Sequence, residues 1–358
     1  MIKNIIIGAG FSAAISKIFT GNKTKIIGSL NHQNLKDQNY FRRKTVEVNK
    51  LMSKKAFSYG TLKFNLKNGK MHDRLTSGGN ANIWGGNIDV KKIPKRLLGF
   101  LKKHNINFEK LSFRKTGTIS NNKNIMQIQS REGLILKTEH LSIKIKNGYI
   151  INFFTKKKKL FINIKNSKKS KLQTLQVKKL FLCVGSVQLL DLLYRSNLLK
   201  ENDIIEFSEF SHHFKWRFIF SVFEKNITTV RYHFCRALGH FFGIQYFARY
   251  LKLFSFVPLC VDQKFYLKKN SYKLTINNGT VTEIENQKFG KKKFGNSIHY
   301  CNMKINNIEI NKYLNKINSD IIGFGMSFIN QKKPGPISNE ILLDIEKKLR
   351  KIKFKIKY

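Results

Sequence analysis

The chain has 358 residues, of which 41% are apolar and 30 are Phe. That is enough to bury a large core in one or two domains, and it excludes a disordered chain. Its 68 Lys+Arg against 21 Asp+Glu give a formal charge of +47, which predicts nonspecific attraction to polyanions at low salt.

Lys, Asn, Ile and Phe abound while Pro numbers only 4, the composition expected of an AT-rich genome. Basic residues occur in every region rather than in one stripe. This scatter reads as solvated surface; it argues against a dedicated nucleic-acid partner and leaves room for transient contact with anionic membrane surfaces. The cysteines, Cys183, Cys235, Cys260 and Cys301, are widely spaced with no CxxC pair. A zinc ribbon is therefore not expected, no metal site is assigned, and reduced thiols in a cytoplasmic protein are the simplest reading. No apolar run is long enough to cross a bilayer.

In chain order, Ile5 to Ile7 forms a short apolar strand that ends in Gly8-Ala9-Gly10 and leads into a small-residue helix. Strand, tight turn and helix start are how a dinucleotide-binding fold opens. Gly8 allows the turn, Gly10 lets backbone approach a pyrophosphate, and Ala13 lets helix and strand pack closely. Ser12 lies in the first turn, where free N–H groups and the helix dipole favour negative charge. Lys3 and the apolar run superficially resemble a signal peptide, but the Gly8/Gly10 turn accounts for them better. Lys25 to Ser29 reads as a second strand. Its end holds Gly28 and Ser29, where this fold commonly places a ribose-binding acid; Asp37 lies well beyond.

Ser77 to Gly86 carries two glycine pairs around a tryptophan. Between 112 and 182, strand-like runs at 133–136, 141–145, 149–154 and 160–164 suit an antiparallel meander, with Lys156 to Lys159 as a hairpin turn rather than a nucleic-acid patch. An apolar strand then meets Gly185-Ser186, followed by a helix with Leu189, Leu190 and Leu193 on one face. Residues 206–290 are rich in aromatics and show little helical periodicity outside 232–254. His212 and His213 are adjacent in a strand, point to opposite faces, and read as structural. Pro334-Gly335-Pro336 precedes a final helix from Ser338, a candidate N-cap, to about Ile352.

Four blocks in this order resemble the glucose–methanol–choline (GMC) family of FAD-dependent oxidoreductases: Gly8-Ala-Gly10 with Ala13; Gly78-Gly79 through Trp84-Gly85-Gly86; Leu180 to Asn197; and His299 through Met303 with the C-terminal strand and helix. The resemblance implies an α/β fold. A Rossmann-like FAD-binding domain would be built from discontinuous segments (1–110, 111–205 and 293–358), with an inserted α+β antiparallel-sheet substrate domain at 206–292.

It also implies FAD as cofactor and hydride transfer from a CH–OH group of a small-molecule alcohol or sugar donor to the flavin, with an electron acceptor that is left open. Gly8, Gly10, Ser12 and Ala13 would hold the pyrophosphate. Gly78, Gly79, Asn82, Trp84, Gly85 and Gly86 would line the flavin region, and Gly185 and Ser186 would border the cofactor. His299 would take the hydroxyl proton, as suits an imidazole, with Asn339 as a helper candidate. The chain departs from the family at Gly28, at Gly325 where an Asp is usual, at Gly335 where a second His or Asn is usual, and after His299, where the usual Gly is absent. A non-catalytic descendant that keeps the fold as a scaffold, and a basic peripheral protein that binds polyanions, are the alternative readings.

Overall fold

The computed structural model describes residues 3–28, 61–65, 87–110, 118–120, 125–130, 145–166, 170–213, 218–220, 230–233, 259–263, 266–284, 300–330, 337–354 and 356. The elements run β1 (Lys3–Ile7), α1 (Phe11–Thr20), β2 (Thr24–Gly28), β3 (Lys63–Asn65), β4 (Asn87–Asp89), α2 (Lys95–Lys103), β5 (Ile106–Lys110), β6 (Thr118–Ser120), β7 (Ile125–Ser130), β8 (Ile145–Asn147), β9 (Tyr149–Lys156), β10 (Lys159–Lys165), β11 (Gln173–Leu182) and α3 (Ser186–Arg195). They continue with β12 (Ile204–His213), β13 (Phe218–Phe220), β14 (Val230–His233), β15 (Leu259–Gln263), β16 (Tyr266–Asn277), β17 (Thr280–Glu283), β18 (Tyr300–Ile305), β19 (Ile308–Glu309), α4 (Ile310–Ile317), β20 (Ile321–Gly323), a 3-10 turn at Met326–Phe328 and α5 (Ile337–Lys351).

The arrangement is mixed α/β. A seven-stranded sheet runs β8-β2-β1-β11-β10-β9, with β20 also on β11. Strands β8, β2, β1, β11 and β20 are mutually parallel, whereas β11, β10 and β9 form an antiparallel meander. Strand β11 is long enough to serve both patterns. Its first half pairs β10 and its last residues, Leu180 to Leu182, pair β20.

The short apolar strands are buried on both faces, as parallel strands under two layers must be. Ile5 and Ile7 of β1, Leu180 and Leu182 of β11, and Ile321 of β20 face one core with α3 and the inner side of the meander. Ile6, Phe181 and Ile322 point the other way, into a second core with α1, α2 and α5. Helix α1 sits close to the sheet because Ala13 and Ala14 are fully buried, while Ile15, Ile18 and Phe19 fill the space beside them. It ends at Gly21, whose φ of 54° turns the chain and whose N–H reaches Lys17 O.

The Lys156–Lys159 segment is the expected hairpin, with Lys157 and Lys158 both at positive φ (49° and 62°). On the outer side of the meander, Asn163 Nδ2 donates to Asn152 Oδ1 at 2.8 Å and Thr174 Oγ1 donates to Asn163 Oδ1 at 2.6 Å. The expected runs at 133–136 and 141–144 lie outside the described residues. Ile145 belongs instead to β8, which extends the parallel sheet beyond β2.

The second sheet runs β19-β18-β12-β16-β17-β3. It is not purely antiparallel, because β3 from the N-terminal part joins β17 in parallel. It draws strands from 206–292 and, through β18 and β19, from beyond residue 293. Smaller sheets, β13-β15-β14-β6 and β4-β7-β5, complete the described strands. Asp191, fully buried on α3, ties the sheets together: its Oδ1 accepts from Leu62 N at 3.0 Å and its Oδ2 pairs with Arg195 Nε at 2.9 Å. Arg195 in turn donates to the carbonyls of Ile150 and Ile151 on β9. The final helix starts at Ile337, so Ser338 is inside its first turn rather than its cap. No described helix is long and apolar enough to cross a membrane.

Candidate functional site

The chain passes from β1 to β2 on one side and places β11 and β20 on the other. Strand order therefore reverses at β1. In an open α/β sheet the crevice outside the carboxyl ends of such strands is where ligands bind. Four short segments meet there: Gly8-Ala9-Gly10 after β1, Gly28 at the end of β2, Cys183 to Ser186 after β11, and Phe324 to Ser327 after β20. They are joined through Gly8 N to Ile27 O (3.0 Å), Cys183 N to Ile7 O (2.8 Å) and Phe324 N to Leu182 O (2.8 Å).

The Gly8 turn admits no side chain. Its φ is 126°, and a Cβ there would lie 2.3 Å from Cys183 O. At Gly28 a Cβ would come within 3.1 Å of Gly8 O and 3.2 Å of the Ala9 methyl. The end of β2 is thus pressed against the turn, and the described part of that strand holds no acid. Gly10 is the N-cap of α1 and its carbonyl accepts from Ala14 N at 3.0 Å. Gly185 is the N-cap of α3 and its carbonyl accepts from Leu189 N at 2.8 Å. Being glycines, neither supplies a side-chain cap, so two helix starts on neighbouring parallel strands direct backbone N–H groups and positive dipole ends at one end of the sheet. A turn of small residues only, Gly8-Ala9-Gly10, fits the diphosphate of a dinucleotide. A ribose-binding acid is not part of the fit, because Gly28 occupies its place.

Of the residues expected at a site, Gly8, Gly10, Ser12, Ala13, Gly185 and Ser186 come together at this edge. Ser186 is buried, and its hydroxyl is 2.6 Å from that of Ser327. Gly78, Gly79, Asn82, Trp84, Gly85, Gly86 and His299 lie outside the described residues, as does Gly335. Asn339 is 2% exposed, its Nδ2 donates to Asp89 O at 2.8 Å, and its Oδ1 accepts from Asp89 N at 2.8 Å. This is a backbone clasp between α5 and β4.

Several site-edge residues carried no clear signal in the sequence. Cys183 is buried where β11 ends, with its Sγ 3.6 Å from Ser16 Oγ. Burial pushes its thiol up to about 12, against the opposing influence of the Ser16 hydroxyl and the Lys348 charge. Lys348 reaches back from α5. Its Nζ donates to Gly323 O at 2.9 Å and pairs with Asp344 Oδ2 at 2.7 Å. It also lies over the Phe324 and Phe328 rings, 6.0 and 5.9 Å from their centroids. Burial lowers the Lys348 ammonium and raises the Asp344 carboxyl, with their mutual attraction working against both shifts. The pair holds the segment that carries Gly325. Asn302, three residues past His299, donates its N–H to Ile329 O at 3.1 Å in that same region. Its Oδ1 is buried without a hydrogen-bond partner among the described residues.

No protein-family model matches the chain, and no curated protein sequence matches it. Among solved structures it is similar to the rebeccamycin biosynthetic enzyme RebC with reduced flavin, at 8% identity and a TM-score of 0.29 over 78% of this chain and 55% of that one. It is also similar to p-nitrophenol 4-monooxygenase PnpA from Pseudomonas putida DLL-E4 (8% identity, TM-score 0.31, 79% of this chain and 71% of that one). A third likeness is to a flavoprotein/dehydrogenase from Cytophaga hutchinsonii (9% identity, TM-score 0.29, 78% and 70%). The chain spans about half the length of RebC. By name the first is a biosynthetic enzyme with reduced flavin, the second a monooxygenase and the third a flavoprotein; at such scores neither fold nor activity transfers from them.

Proposed function

We propose that the chain is a flavin-dependent oxidoreductase that binds FAD at the reversal of its parallel sheet and oxidises a CH–OH group of an alcohol or sugar-like donor. The observation that carries the reading is the pairing of two glycine-started helices, α1 and α3, on the adjacent parallel strands β1 and β11, with a turn at Gly8 that excludes any side chain. Under this reading the discontinuous segments around β1, β11 and β20 make up a Rossmann-like domain.

Gly10, Ser12 and Ala13 would hold the diphosphate through backbone N–H groups, with Gly8, whose own N–H is bonded to Ile27 O, shaping the turn that brings the chain to it. Gly185 and Ser186 would border the cofactor. Gly78, Gly79, Asn82, Trp84, Gly85 and Gly86 would line the flavin side. When bound, FAD supplies the two-electron acceptor that no side chain of this protein can provide. His299 would accept the hydroxyl proton at an imidazole nitrogen, a group whose ordinary pKa lies near neutrality. The buried core beneath the crevice would keep water from the reacting carbon.

The test is an absorbance spectrum of the freshly purified chain, followed by anaerobic addition of alcohol and sugar donors. A yellow protein that bleaches with a donor supports the proposal. His299→Gln should then keep the colour and slow the bleaching by about a hundredfold or more. A folded protein that stays colourless after incubation with FAD overturns it.

A further inference from the structure

We propose that the outer face of the β9–β10–β11 meander is a platform for single-stranded nucleic acid, with the Phe154–Phe161 pair stacking bases and Lys156, Lys159 and Lys178 meeting phosphates. The lysines look scattered along the sequence, but strand pairing gathers them. Lys156 is opposite Lys159 across the hairpin. Lys178 follows Val177, the partner of Leu160, and by strand alternation shares the face of Lys159. All three are exposed. The segment itself brings no acids, since residues 140–190 contain 12 Lys and no Asp or Glu; Asp320, just before β20, pairs with the neighbouring Lys179, which is not one of the three.

The inner residues Phe153, Leu160, Ile162 and Ile164 are in the core, so alternation sends Phe154 and Phe161 outward. They form a cross-strand pair with ring centroids 5.4 Å apart and planes 14° from parallel. Phe154 is 36% exposed, one of the few large apolar side chains among the described residues that water reaches. Beside the rings runs the hydrogen-bonded row of amides and a hydroxyl described above, suited to base edges and ribose.

Aromatic faces beside a cationic groove are what single strands recognise, since every base has a face to stack and every nucleotide a charge. The same charge disfavours a second copy of this chain, which would set lysines against lysines. The flat polar row disfavours a membrane, which is better met by protruding apolar groups.

The test uses the full chain and a fluorescent oligothymidylate of about twelve nucleotides, a length within the usual single-strand site sizes, followed by anisotropy over a salt series. Phe154→Leu should weaken binding about tenfold without changing the salt slope. Lys156→Gln/Lys159→Gln/Lys178→Gln should lower that slope by about two. A control with the same charge loss at exposed sites elsewhere, Lys91→Gln/Lys95→Gln/Lys102→Gln, should change affinity far less.

Thermal melts confirm that each variant is folded; the lysine substitutions are at exposed sites, so they remain informative if Phe154→Leu is unstable. Equal losses in the two lysine variants would mean general charge attraction and overturn the proposal. Greater loss of binding to phosphatidylserine vesicles than to the oligonucleotide in the platform variants would also overturn it, assigning the face to a lipid surface.

Discussion

Gly325 stands against Ser12 so closely that a Cβ on the glycine would lie 2.9 Å from the serine hydroxyl. The two residues come from opposite ends of the chain. One lies in the first turn of α1, and the other starts the 3-10 turn after β20 at a φ of 111°. Where the GMC resemblance leads one to expect an Asp, a side chain would have to bear the φ of 111° and displace the Ser12 hydroxyl.

Gly325→Ala should therefore combine two penalties, backbone strain and a clash with Ser12, and lower stability by about 2–4 kcal/mol. Adding Ser12→Ala should recover part of the loss, because the hydroxyl is removed while the strained φ stays. Urea melts of the single and double variants check this. Strict additivity would show that the contact has no energetic weight.

Asn339→Ala should cost about 2–4 kcal/mol, since it leaves the buried N–H and C=O of Asp89 without their partners. Asn339→Asp should be little better, because a carboxylate can accept from Asp89 N but cannot donate to Asp89 O. The readout is the denaturation midpoint. If Asn339 were a helper in proton transfer instead, turnover would fall with the midpoint unchanged.

Asp191 and Arg195 form a buried ion pair on α3, with side chains 0% and 10% exposed. Asp191→Ala should destabilise by about 3–5 kcal/mol, leaving a buried guanidinium and the Leu62 N–H unanswered. Arg195→Met should cost a similar amount through the stranded carboxylate. The double variant should cost less than the sum of the two, measurable in a double-mutant cycle.

The thiol of Cys183 gives a pH-dependent prediction. Its folded value, near 12, lies above the ordinary thiol range, so folding favours the protonated form. The sign follows: stability from this group is complete below the ordinary thiol pKa and is lost as pH rises through the ordinary value towards 12. At pH 8.5 the thiolate fraction should be about a thousandfold below that of a free cysteine. Alkylation followed by peptide mass spectrometry should find the Cys183 peptide protected in buffer and labelled in denaturant. Rapid labelling of the folded protein would contradict the burial.

Local order was legible in the sequence wherever short-range chemistry decides it. Ile5 to Ile7 must become a strand and Gly8-Ala9-Gly10 a turn; Lys156 to Lys159 breaks two strand-like runs and so reads as the turn between them; Gly185-Ser186 opens a helix because an apolar strand has just ended. Those constraints act between residues a few positions apart. The roles of Asn339, Cys183 and Lys348 were not legible, since each depends on a partner more than twenty residues away.

From the chain alone came a charge of +47 and a row of glycine punctuation. Tertiary structure decided which of these elements face one another. Parallel pairing set Gly8, Gly185 and Gly325 at one edge of a sheet, and antiparallel pairing brought Lys178 beside Lys159. Backbone hydrogen bonds between distant segments make those choices, because a buried strand edge must find a partner and only the folded chain supplies it.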